Sequence, residues 1–220
     1  MTSSDANRPA RPSARVSWSR PEAFGAWVRL GDGVMLAVDG ALAERLGVEH
    51  GAEVGLAPRP LELHVAVTAR CPASCTGCYL DARPDGEAPA LAEIVARLDA
   101  ARALGASTVA FGGGEPLTRG DLGEIARAAR ALDLVPVMTT SGLGMTRERA
   151  RELGDFAQVN VSHDGVDGGY ASLRGFAGAS HAERAIGWLA DAGVTVGVNL
   201  VLVRGSLARV EATAARVASL

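Results

Sequence analysis

From residue 61 onward, short apolar runs alternate with stretches of helical periodicity, and the alternation repeats five times. LELHVAVTAR (61–70) is brief and rich in β-branched residues, which predicts a strand. LAEIVARLDAARALG (91–105) follows with Leu91, Ile94, Val95 and Leu98 at i, i+3, i+4 and i+7, one face of an amphipathic helix that Gly105 ends. STVAF (107–111) predicts the next strand. DLGEIARAARALDL (121–134) predicts the next helix, with Asp121 and Glu124 as its cap and third helical position. LVPVMTTSG (134–142) and FAQVNVSHDG (156–165) read as strands around a short helix in TRERARELG (146–154). SHAERAIGWLADAG (180–193) places Ser180 and Glu183 in capping-box spacing. The strand VTVGVNLVLV (194–203) and a helix in SLARVEATAARVASL (206–220), capped by Ser206, complete the series.

Five consecutive βα units are the pattern of a parallel sheet covered by helices. The loops after the C-terminal strand ends then share one rim, where α/β proteins place their chemistry. Before residue 61 the pattern differs. AWVRL and VMLAV flank Gly31-Asp32-Gly33 as in a hairpin, and DGALAERLG offers Asp39 as a helix cap and Gly47 as a stop. Residues 1–15, polar and proline-bearing, predict a disordered tail; 16–60 predict a small accessory α/β element; 61–220 form the βα array.

Composition narrows the function. The 220 residues carry a net charge of −3 and only 4% aromatics, so no basic or stacking face points to nucleic acid. All 22 basic residues are arginine, which removes P-loop, Schiff-base and kinase-type lysine chemistry. The N-terminus has no apolar signal core, and residues 194–203 are too short to span a bilayer as a helix. With unpaired cysteines, this predicts a soluble protein of the reducing cytoplasm, with no membrane partner.

The candidate chemistry lies in VTARCPASCTGCYL (67–80). Cys71, Cys75 and Cys78 are the chain's only cysteines and fall in one loop after the first strand. Thiolates are soft ligands for zinc, copper and iron–sulfur clusters. No second cysteine pair closes a zinc site, although His163 on the same rim is a candidate fourth ligand. A [4Fe–4S] cluster on three cysteines would leave one iron open, the mark of catalytic metal chemistry. The other rim motifs are GGGEP (112–116), TTSG (139–142) and SHDG (162–165).

The Cys71-x3-Cys75-x2-Cys78 spacing at the end of the first strand resembles the radical S-adenosylmethionine (SAM) enzymes, and the resemblance runs from residue 61 to 220. It implies an α/β fold: a partial (β/α)6 TIM-like parallel barrel, five βα units present, with the N-terminal α/β appendage. It implies a [4Fe–4S] cluster on Cys71, Cys75 and Cys78, with S-adenosylmethionine on its open iron. Reductive cleavage would then give a 5′-deoxyadenosyl radical. Gly113, Gly114 and Glu115 match the family's GGEP segment, assigned to the methionyl amino group. Thr140, Ser141 and Ser162 stand where the family places polar contacts to ribose or carboxylate, and Arg174 where it places an arginine near the carboxylate. Asp164 and Asn199 are weaker matches. The family's aromatic residue before the last cysteine is replaced by Gly77, leaving Tyr79 as the nearby aromatic.

Family barrels have at least six units, so the chain is expected to be a fragment, with any SPASM-type C-terminal extension lying beyond residue 220. GGGEPLTRGDL, VSHDG and RGF most resemble the peptide- and protein-modifying branch, with flavodoxin or ferredoxin as the implied electron donor. A small-molecule substrate in cofactor biosynthesis is the alternative within this chemistry. A non-catalytic zinc or iron–sulfur scaffold is the alternative outside it.

Overall fold

A computed structural model describes residues 15–31, 34–51, 59–73 and 75–220. The N-terminal tail up to residue 14, Asp32 and Gly33 of the hairpin loop, and Ser74 lie outside the described residues. Contacts divide the chain into two compact units, residues 1–58 and 59–220.

In the first unit, β1 (Val16–Glu22), β2 (Gly25–Leu30) and β3 (Met35–Val38) form an antiparallel sheet in that order, followed by α1 (Gly40–Leu46). Asp39 caps α1 by accepting the Leu42 amide at 2.8 Å, and Gly47 closes it in the left-handed conformation. Ala26, Val28, Val38 and Ala43 make the small core. The hydrophobic pattern marks β2, β3 and α1 but not β1. The inward-facing residues of β1 include Arg20 and Glu22, a buried ion pair at 2.6 Å, where an apolar alternation would have signalled a strand.

The second unit holds a five-stranded parallel sheet in sequential order: β4 (Glu62–Thr68), β5 (Thr108–Gly113), β6 (Val135–Thr140), β7 (Gln158–Ser162) and β8 (Val196–Asn199). Crossovers run through α2 (Leu91–Ala103), α3 (Leu122–Ala131), α4 (Arg147–Glu152) and α6 (Ala179–Asp191), and α7 (Val210–Ala218) follows β8. Ile94, Leu98, Val109, Phe111, Ile125, Met138, Val159, Val161 and Leu189 form one continuous core between sheet and helices. This is the parallel βα array of a partial TIM-like barrel.

Local expectations fail where a polar side chain has a better tertiary partner. α6 starts at Ala179 with Gly178 as its cap, so Ser180 lies inside the helix, and Glu183 turns to Arg216 on α7 at 2.6 Å. Asp121 stands at the N-cap of α3 as its spacing predicts, but its side chain makes no cap bond, because Arg119 takes both carboxylate oxygens at 2.8 and 2.6 Å. β8 stops at Asn199 rather than continuing to 203, since the Val201 amide donates to Asp164 at 2.9 Å. Ser206 leads a 3-10 turn (Leu207–Arg209) instead of capping α7 directly; its hydroxyl accepts the Val203 amide at 3.0 Å. One helix is new, α5 (Gly169–Arg174), entered and left through left-handed Gly168 and Gly175.

Candidate active site

The cysteine loop leaves β4 under backbone restraint. The Ala69 amide donates to Glu87 O at 2.7 Å, Arg83 N to Ala69 O at 3.2 Å, and Cys71 N to Arg83 O at 2.8 Å, so the far limb of the loop folds back onto its base. Within it, the Cys78 amide reaches Cys75 O at 3.3 Å, and Gly77 sits at φ +74°, a turn conformation disfavoured for any residue with a Cβ. Cys71 and Cys75 are partly buried and Cys78 is exposed. Burial pushes the Cys71 thiol above its ordinary pKa, and the neighbouring Glu115 carboxyl adds to the effect.

The rim of β5 presses against that base. Gly114 N donates to Thr68 O at 2.7 Å and Glu115 N to Arg70 O at 2.8 Å. A Cβ on Gly113 would stand 2.3 Å from Thr68 O, and one on Gly114 2.2 Å from Arg70 O. Gly113 also has φ +124°. These glycines therefore permit close approach to the backbone that carries Cys71. Gly112, by contrast, has open space at its Cβ position and borders the cavity.

Glu115 is buried, and its carboxyl accepts four hydrogen bonds: Thr140 Oγ1 at 2.5 Å, Ser141 Oγ at 2.5 Å, Ser141 N at 2.8 Å and Leu117 N at 3.1 Å. Desolvation raises its pKa, and the four donors oppose that rise. The same carboxyl fixes the end of β6 against the end of β5. Beneath the rim, Arg119 donates to Val67 O at 3.0 Å and Pro89 O at 2.7 Å while gripping Asp121, tying β4 and the end of the cysteine loop to the turn after Glu115.

On the β7 side, buried Asp164 pairs with Arg174 Nε through one oxygen and accepts the Val201 amide through the other. Arg174 Cζ lies 5.6 Å from the centre of the Tyr170 ring, and Nη1 reaches Cys75 Sγ at 4.0 Å. Burial pushes the Tyr170 hydroxyl up to about 12.

Eleven of the residues singled out from the sequence line one cavity of about 370 Å³: the three cysteines, Gly113, Gly114, Glu115, Thr140, Ser141, Ser162, Arg174 and Tyr79; Asp164 joins them. Their hydrogen bonding distinguishes them. Thr140 and Ser141 spend their hydroxyls on Glu115, and Tyr79 is 87% exposed. His163 does not line the cavity; its ring packs edge-on to Tyr170, with Nε2 3.5 Å from Glu183, so it does not complete a Cys3His site. Asn199 lies off the lining and reaches Thr139 at 3.5 Å. The sequence reading overlooked Arg119 and Tyr170. An arginine two residues before an aspartate, and a tyrosine four before the matched arginine, were the signals available.

The donor set fits the cofactors that the cysteine spacing implies. Three soft thiols, glycine backbone, hydroxyls and one guanidinium share the cavity wall. Among the described residues, no three His, Cys, Asp or Glu side chains gather as ligands for a single metal ion. Cluster thiolates, bound to different irons, stand farther apart than that.

Comparison with known proteins agrees. The sequence model of the radical SAM superfamily matches residues 65–216. SuiB from Streptococcus suis superposes with a TM-score of 0.68 at 15% identity, covering 93% of this chain and 58% of SuiB. The enzyme anSMEcpe, solved with AdoMet and a peptide, gives 0.53 at 20% identity, covering 63% of this chain and 42% of its own. TsrM from Kitasatospora setae, solved with cobalamin and a [4Fe–4S] cluster, gives 0.52 at 17% identity, covering 70% and 34%. The chain therefore spans little more than half of SuiB and less of the others. Family enzymes bind S-adenosylmethionine and [4Fe–4S] clusters. With its cysteine loop and glycine rim inside the matched region, and with that region covering most of the parallel βα array, the chain belongs to the radical SAM superfamily of enzymes.

Proposed function

We propose that the chain cleaves S-adenosylmethionine reductively at a [4Fe–4S] cluster held by Cys71, Cys75 and Cys78, and directs the resulting radical at a peptide or protein. The observation that carries this reading is the convergence of three thiols and the GGGE rim on one cavity. When bound, the two cofactors supply one electron and a carbon-centred radical able to take a hydrogen atom from substrate. The protein supplies the rest. Backbone bonds at Ala69, Cys71 and Arg83 hold the thiols in their loop, and the Gly112–Gly114 rim leaves room for a ligand beside them. Ser162, with its hydroxyl free of the Glu115 network, and Arg174 offer further polar contacts in the cavity lining. Half-burial of Cys71 and Cys75 limits water at the metal.

A peptide substrate is supported by the likeness to SuiB, which has been solved with its precursor peptide SuiA. Among the described residues β1 and β3 are the outer strands of the N-terminal sheet, and an outer strand suits addition of an extended leader strand. A flavodoxin or ferredoxin is the electron donor this chemistry calls for, and a reducing cytoplasm its setting. No helix among the described residues is long and apolar enough to cross a membrane.

Electron paramagnetic resonance of anaerobically reconstituted, reduced protein tests the reading. The expected result is a [4Fe–4S]+ signal that changes on adding S-adenosylmethionine and disappears in the Cys71→Ala, Cys75→Ala, Cys78→Ala variant. A cluster retained by that variant refutes the ligand assignment. A signal indifferent to the cofactor favours a scaffold.

A further inference from the structure

We propose that Arg174, held in place by Asp164, is the charge partner of the Cys75 thiolate and sets the reduction potential of the metal centre on the cysteine loop. The inference deepens the proposed function and rests on its cluster assignment. Arg174 is the one cation among the described residues lining the cavity. Its Nη1 points to Cys75 Sγ at 4.0 Å, while Nε is taken by Asp164. The guanidinium thus contacts both groups, the carboxylate through Nε and the sulfur through Nη1. Burial and two further contacts restrain the pair. Asp164 is fully buried at its side chain, its second oxygen accepts the Val201 amide at 2.9 Å, and the Tyr170 ring lies against the guanidinium. With Arg174 only 19% exposed at its side chain, the charge is poorly screened by water.

One-electron reduction adds a negative charge to a cluster whose thiolates are already anionic. A fixed cation beside one ligand favours the reduced form, and an N–H donor to a ligating sulfur acts in the same direction. Asp164 has two effects. It positions the guanidinium, and its own charge offsets part of the cation's field. Removing the cation and removing the anion should therefore move the potential in opposite directions. A purely structural role for the pair predicts no such opposition.

The experiment is a redox titration of the reconstituted full chain without S-adenosylmethionine, followed by electron paramagnetic resonance. Arg174→Gln should shift the midpoint negative by at least a tenfold change in the reduction equilibrium, about 59 mV for one electron. Arg174→Lys should restore most of that shift. Asp164→Asn removes the offsetting anion and should shift the midpoint positive. Equilibrium dialysis of S-adenosylmethionine separates this role from a contact to cofactor alone. Weaker cofactor binding with unchanged midpoints overturns the proposal, as do same-sign shifts in the Gln and Asn variants. If Arg174→Gln does not load, the Asn and Lys variants decide it by the sign and size of their shifts. Absence of any cluster in the wild-type chain overturns the cluster assignment and the inference with it, whereas a loaded cluster with unmoved potentials overturns the inference alone.

Discussion

Replacing Glu115 with alanine should loosen the whole β5–β6 rim. The wild-type carboxyl accepts two backbone amides, Ser141 N at 2.8 Å and Leu117 N at 3.1 Å, and two hydroxyls at 2.5 Å. The hydroxyls can rotate to new acceptors, but the amides cannot. Each buried amide left without a partner costs about 1–3 kcal/mol, so the substitution should cost about 2–6 kcal/mol before any cavity contribution. pH modulates the figure. Because burial raises the folded-state pKa of Glu115, its favourable contribution is full below the ordinary glutamate pKa and declines as pH rises through the folded value. The alanine variant should therefore fall furthest behind the wild type in mild acid and less so at neutrality. Urea unfolding followed by circular dichroism gives the stability difference, and hydrogen exchange reads the Leu117 and Ser141 amides directly. Unchanged protection at both amides with a cost under about 1 kcal/mol would falsify the buttress role.

Three further outcomes follow from the same geometry. Gly114→Ala drives a Cβ to 2.2 Å from Arg70 O, so we expect a loss of about 1–3 kcal/mol and reduced iron incorporation, measured by urea unfolding and iron analysis. Leu98→Ala, at a fully buried position of α2, should cost about 2–5 kcal/mol in the same unfolding assay; a cost near zero would place α2 off the core. The hydrogen bond from Arg119 holds the Asp121 carboxyl below its ordinary pKa, so its contribution is present above the unfolded value and lost as pH falls toward the folded one. Asp121→Asn should accordingly lower the urea midpoint at neutral pH, with the deficit shrinking in acid. A constant deficit would refute the ion pair as its cause.

The arrangement explains why unrelated-looking loop residues share one task. The Glu115 carboxyl joins β5 to β6, Arg119 ties β4 to the turn after β5, and Asp164 ties β7 to the chain after β8. Each strand end on the rim is fastened to another by a buried or partly buried polar side chain. Such bonds gain strength from exclusion of water, and that exclusion also suits radical chemistry.

The five βα units and their shared rim were legible in the sequence because strand and helix periods depend on local spacing. The cysteine spacing and GGGEP likewise marked residues that the fold brings to one cavity, since soft thiols and close backbone approach demand particular residue types. Tertiary structure alone decided which polar side chains face a ligand and which face the protein. Glu115, a candidate cofactor carboxylate by motif, is occupied by four internal donors. Glu183, a capping residue by spacing, instead serves Arg216 from 33 residues away. β1 escaped notice because its buried face carries an ion pair. A side chain's hydrogen-bond partner is settled by the competition among groups brought near it in space, and burial raises the stakes of that competition. Sequence spacing records only the local contestants; the distant ones appear when the strands are side by side.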